Sequence, residues 1–299
     1  MKEPLVSLLF LVIAQRLDIA GRKGLLPWIL TGVVTAGFAA VTKSFGRLLL
    51  AFLIIIMMPL ATTEIGTDGW IMDLMKKPME NAHYNSGWIL VYTSAIMMVL
   101  RFFAGPIVHK LSPLGLLAGC ALLAIVGLTW LSKTATAGLV TIFAAATLYG
   151  IGKTFFWPTM LGVTSEQCPK GGALTLNTIS GIGMLAVGIL GFPFIGYLKD
   201  STTTKSLQAQ NAAIYQTVTK ESNYLLGKYQ AIDPEKAALV TDEGGKAALA
   251  AANTAGQFSA LGKMAMFPAF MLVCYLVLIG YFKSKGGYKP VELAGGGGH

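Results

Sequence analysis

The chain has 299 residues, of which 54% are hydrophobic and only 12% charged, and it carries a formal net charge of +9. Soluble domains hold about 25% Asp, Glu, Lys and Arg, so charge is roughly halved here, and the mean hydropathy of +0.64 agrees. These values exclude a disordered chain, a disulfide-stapled mini-domain and an ordinary soluble enzyme. They point to an all-α, polytopic transmembrane helix bundle.

A spanning helix needs about 20 mostly apolar residues, and apolar runs at roughly 4–15, 26–42, 48–66, 86–106, 112–131, 138–164, 173–198 and 264–282 predict about eight spans. Residues 1–46 form an N-terminal hairpin. Lys2, the run Leu5–Ala14 and the small residue before Gln15 also fit a signal peptide, against which Glu3 and the weak cleavage box weigh. Either reading orients the later helices alike. With the N-terminus inside, Lys43, Arg47, Arg101, Lys110, Lys170, Lys283, Lys285 and Lys289 all fall on the cytoplasmic side. That matches the positive-inside bias and predicts an integral protein of the inner (plasma) membrane with both ends cytoplasmic. Residues 47–198 carry the central spans. Residues 199–263 are polar, Ala-rich and nearly neutral, and predict an outer loop of short helices. Residues 264–299 give the last span and a tail.

The basic residues are scattered, without the basic stripe and interleaved aromatics that nucleic acid requires, so no nucleic-acid partner is expected. Cys120, Cys168 and Cys274 are far apart, and His83, His109 and His299 lie in loops or the tail, so neither a metal site nor a cofactor is expected. The sequence Gly152-Lys153-Thr154 ends like a phosphate loop but lacks the earlier glycine, since position 147 is Thr. No nucleophile–base pair stands out, which argues against an enzyme.

Lys153 lies near the middle of its span, where a charge costs at least about 2.5–3.5 kcal/mol. Tyr149, Lys153 and Trp157 recur at helical spacing on one face, and Pro158 beside them kinks the helix. Glu64 and Asp68, four apart in the third run, share a face, and either is a candidate partner for Lys153 or a proton-coupling carboxylate. Two short turns, Arg101–Lys110 and Glu166–Gly172, carry opposite charges that suit a cytoplasmic latch.

The stretch Arg101…Gly105-Pro-Ile-Val-His-Lys110-Leu-Ser-Pro-Leu-Gly115 resembles the loop between the eighth and ninth helices of major facilitator superfamily transporters. Glu166-x-x-Pro169-Lys170-Gly171 resembles that family's signature at the end of the tenth helix. The resemblance covers about residues 47–290 and implies helices seven to twelve, the C-terminal half. His109 stands where the loop motif usually has an acid. The resemblance implies gating roles for Arg101, Lys110, Glu166 and Lys170, and substrate contacts from Glu64, Asp68, Tyr92, Tyr149, Lys153, Trp157 and Asn177. It further implies that glycines 181, 183, 188 and 191 give close helix packing. Family transporters rock two halves about a central site, so the expectation is a truncated form, a chain that works with a second six-helix half or other membrane subunit, or one that no longer transports. The expected cargo is a small polar solute, a sugar or nucleoside, coupled to protons. The rival expectation is a transporter-derived structural subunit of a larger membrane complex.

Overall fold

The computed structural model describes residues 48–105, 107, 111–224 and 227–292. The N-terminal hairpin expected over residues 1–46, and His109 and Lys110 of the loop motif, lie outside them.

Five helical runs are long and apolar enough to cross a membrane: Leu48–Leu74, Pro113–Leu131, Leu139–Gln167, Pro169–Gln210 and Glu243–Ser284. A shorter apolar helix, Gly87–Phe102, stands among them. The chain is therefore an essentially all-α membrane protein. The first run is α1 (Leu48–Ala61), a π-turn at Thr62–Gly66 and α2 (Thr67–Leu74), with the short α3 (Lys76–Asn81) after it. Next come α4 (Gly87–Phe102) and α5 (Pro113–Leu131); α5 is capped by the Ser112 side chain, which accepts from the Gly115 amide. The next run is split into α6 (Leu139–Lys153) and α7 (Phe156–Gln167). A turn at Pro169–Gly171 leads to α8 (Gly172–Ala186), a second π-turn at Val187–Gly191 and α9 (Phe192–Gln210).

The polar segment differs from the expected short helices. Most of its helix is extension of the spans: α9 continues to Gln210, and α12 (Glu243–Met264) runs almost unbroken into α13 (Met266–Ser284). The sequence hid this because membrane length and helix length differ; a helix leaving the bilayer simply turns polar. Between them sit α10 (Ala212–Val218), an antiparallel hairpin of β1 (Thr219–Tyr224) and β2 (Gly227–Ile232), and α11 (Pro234–Ala238). This cap has its own small core of Leu207, Val218, Val240 and Ala252.

The main core is continuous through the bundle, from Leu53 and Met57 of α1 to Tyr275 and Leu278 of α13. The α5–α6 pairing rests on two close approaches. A Cβ on Gly127 would lie 2.5 Å from the Tyr149 amide nitrogen, and one on Gly152 would lie 2.5 Å from that of Ala124. Small residues that let backbones meet are a common means of packing membrane helices, because apolar burial gives no drive between them in lipid. Of the four glycines expected to serve this role on the eleventh helix, Gly183 and Gly191 do. A Cβ on Gly183 would meet Met57 and Trp157, and one on Gly191 would meet Thr62, whereas Gly181 and Gly188 face open space.

Candidate functional site

The site is built from interruptions in two helices. In the first, Thr62 and Thr63 turn their hydroxyls back onto the carbonyls of Met58 and Pro59, at 3.0 and 2.7 Å. The Thr67 amide skips one residue to reach the Thr62 carbonyl. Such π-turns recur where a helix must aim side chains at a site, and this one carries Glu64, with Asp68 just beyond it. In the second, α6 stops at Lys153 and α7 starts at Phe156. Pro158 has no amide hydrogen to give the Thr154 carbonyl four residues back, so that carbonyl is free for another donor.

Arg101 supplies it. Its Nε donates to the Thr154 carbonyl at 3.0 Å, and its Nη2 donates to Glu64 Oε1 at 2.9 Å. The other carboxylate oxygen, Oε2, accepts the Trp157 amide at 3.1 Å, an N–H that opens the second half-helix. The Arg101–Glu64 pair thus closes onto both ends of the broken helix. The cation takes the carbonyl end of the first half, and the anion takes the amide end of the second, each as the helix dipole favours. Beside it, the Lys153 ammonium pairs with Asp68 Oδ1 and lies over the Tyr149 ring, 5.3 Å from its centroid. The Tyr149 hydroxyl donates to the Thr63 carbonyl at 2.6 Å. Two cations and two anions therefore balance to zero in the middle of the bundle. Lys153 ends a 15-residue helix, which places it about 21 Å along that span at 1.5 Å per residue.

The four charges differ in what they show to the surroundings. The Lys153 side chain is 0% exposed and that of Glu64 7%, whereas Asp68 is 26% and Arg101 42% exposed. Asp68 and Arg101 line an open groove of about 510 Å³ together with Ser94, Met97, Met98 and Phe102. All the groove residues of α4 recur at helical spacing on one face.

These positions bring Glu64, Asp68, Tyr149, Lys153 and Trp157 together, as the spacing predicts. Asp68, and not Glu64, takes Lys153. Arg101 was expected at the cytoplasmic turn opposite Glu166, with Lys153 as the one intramembrane cation. Arg101, in the last turn of α4, pairs with Glu64 and the Thr154 carbonyl; the signal that could have found this pairing is the free Thr154 carbonyl that Pro158 leaves. Glu166 accepts the Tyr288 hydroxyl at 2.6 Å, its carbonyl accepts the Val291 amide at 2.9 Å, and Gln167 donates to the Lys289 carbonyl at 2.9 Å. Burial and the Glu166 carboxylate push the Tyr288 phenol well above its ordinary value. Lys170 is exposed on the turn that follows.

Tyr92 sits elsewhere. It hydrogen-bonds Thr147 Oγ1 at 2.7 Å, meets Phe143 edge-on, and lines a second, apolar cavity of about 780 Å³ with Trp88 and Val140. Asn177 is exposed on α8 and joins neither ion pair. Sequence reasoning also passed over Tyr275, fully buried in α13, whose hydroxyl finds no partner among the described residues. No group of residues suited to a metal ion occurs among the described residues.

No family model, curated protein or solved structure matches this chain.

Proposed function

We propose that the described spans form one six-helix half of a major-facilitator-type secondary transporter, moving a small polar solute such as a sugar or nucleoside in a proton-coupled cycle. The observation that carries this reading is the neutral four-charge cluster at a broken helix, half of it open to a groove. Charged groups at the centre of a membrane bundle are costly and normally serve a pathway, and interrupted helices whose ends hold charges mark the binding centre of many secondary transporters. Glu64 is the coupling carboxylate. Protonation would release Arg101 from it and leave Arg101 held by the Thr154 carbonyl alone. In this reading the protein lies in the plasma membrane with both ends cytoplasmic, and a second six-helix half completes the cavity. Arg101, Lys110, Glu166 and Lys170 stay candidates for gating, with the Glu166–Tyr288 contact as one element of it.

One observation favours the rival, a structural subunit of a larger membrane complex. Tyr149 and Lys153 are completely enclosed by protein, as bracing residues would be. Uptake by the reconstituted chain distinguishes the two. Solute accumulation driven by a proton gradient, abolished in Glu64→Gln and reduced in Lys153→Ala, supports the transporter. Equal uptake by both variants and the parent removes this site from the mechanism.

A further inference from the structure

The groove carries chemistry that bears on the solute class; the inference drawn from it rests on the transporter reading and puts a charged polar solute in place of the sugar or nucleoside. Two groups of opposite charge face the same opening. Asp68 gives Oδ1 to Lys153, and none of the described residues donates to its Oδ2. Arg101 commits its Nε to Thr154 and one Nη2 hydrogen to Glu64, and its remaining N–H groups have no partner among the described residues. Both residues are substantially exposed there, while their partners Lys153 and Glu64 are enclosed.

The charge balance selects among ligands. The cluster is neutral as it stands, and its enclosed members, Lys153 and Glu64, lie where an uncompensated charge is expensive. A monovalent anion on Arg101 or a cation on Asp68 would each leave the site with one net charge. A solute bearing both groups leaves it neutral and makes two ion pairs, each adding Coulombic attraction to a charge-assisted hydrogen bond. A sugar would gain only neutral-to-charged contacts. The remaining wall fits such a molecule: Ser94 offers an exposed hydroxyl, and Met97, Met98 and Phe102 give an adaptable apolar side. Ser94 and Arg101 are seven residues apart on one helix, so the wall is about 10 Å long.

We propose that this groove binds a zwitterionic solute, with its ammonium group on Asp68 Oδ2 and its carboxylate on the N–H groups of Arg101 that Thr154 and Glu64 leave open.

The test is calorimetric titration of the purified full chain in lipid nanodiscs. The probes are glycine, β-alanine, γ-aminobutyrate and ε-aminocaproate, whose charges lie progressively further apart. Butyrate and butylamine carry one charge each, and glucose and uridine carry none. At least one amino acid is expected to bind about tenfold or more tighter than either single-charge probe, the equivalent of one charged hydrogen bond. The double variant Asp68→Asn/Lys153→Met, which removes the carboxylate without stranding the ammonium, is expected to lose that advantage. Binding of glucose or uridine in preference to every amino acid overturns the zwitterion assignment and leaves the transporter reading standing. A single-charge probe that binds as tightly as the best amino acid overturns it, as does a panel with no binder. Proton-driven uptake, measured separately, decides the transporter reading itself.

Discussion

The two members of the Asp68–Lys153 pair should respond very differently to removal of their partner. Lys153 has a side-chain exposure of 0% and Asp68 one of 26%. Asp68→Asn strands an ammonium that no water reaches; breaking a buried pair in this way costs about 3–5 kcal/mol. Lys153→Met strands a carboxylate at the groove, where water solvates its free oxygen. The cost is then that of a partly unsatisfied polar group plus the lost contact with the Tyr149 ring, about 1–3 kcal/mol. The double variant removes both charges and leaves a flexible apolar side chain of similar length against a neutral amide. Buried pairs replaced together are often neutral or stabilising, so its stability should lie within about 1 kcal/mol of the parent, far short of the sum of the singles. Denaturant unfolding in mixed micelles at matched pH, followed by tryptophan fluorescence, measures all four corners of the cycle. Equal costs for the two single variants would refute the assigned burial asymmetry. An additive double variant would refute the pair.

Two further outcomes follow from packing and from the tail. Gly152→Leu places side-chain atoms where a Cβ already comes within 2.5 Å of the Ala124 amide nitrogen; overpacking costs about 1–3 kcal/mol, so its thermal midpoint in detergent should fall clearly, while Gly181→Leu, which faces open space, should match the parent. Tyr288→Phe removes the side-chain bond to Glu166 while the Val291 and Lys289 bonds remain, and hydrogen exchange around 288–291 should rise with little change in the bundle. The phenol's raised value fixes the sign of the pH dependence. The contact is fully formed below the ordinary tyrosine value of 10.0 and is lost as pH rises through the higher folded value. Exchange in the tail should therefore accelerate at strongly alkaline pH in the parent and show no such step in Tyr288→Phe; a step of equal size in both would refute the contact.

What the sequence made legible follows from what period and composition can encode. Among the described residues the apolar runs from 48 onward all fall on helices, because each run is long and bounded by polar residues. The grouping of Tyr149, Lys153 and Trp157 with Glu64 and Asp68 was visible from spacing and from the cost of a charge in an apolar segment. Partner choice was not visible. Glu64 and Asp68 are equivalent candidates on a regular helix, and only the π-turn between them sends one to Arg101 and the other to Lys153. The Arg101 pairing was not visible because the residue lies at the start of a loop motif and was read with that loop. Its long side chain instead runs to a carbonyl exposed by a proline on another helix. The helical extensions of α9 and α12 were missed because alternation of polar and small residues says little about where a helix stops.

The arrangement of the four charges itself bears on function. A buried ion pair is weak support for stability, since a well-packed apolar replacement is usually as good, and two such pairs side by side compound the desolvation cost. A bundle selected only to brace its neighbours has no use for them, nor for the lost helical bonds at Thr154 and the π-turn at Thr62–Gly66. Arg101 and Glu64 do offset part of that loss by bonding both ends of the break, but that explains how the break is tolerated, not why it exists. The break and the charges make sense together if the pairs must open. Glu64 bonds both Arg101 and the Trp157 amide. Arg101 holds the Thr154 carbonyl as well as Glu64, so its place does not rest on Glu64 alone. Asp68 is likewise held by an enclosed lysine yet lines the groove, with one oxygen lacking a partner among the described residues. A constellation in which the enclosed member of each pair fixes the exposed member is how a site is kept preorganised for a charged ligand, and a purely structural origin supplies no reason for that division.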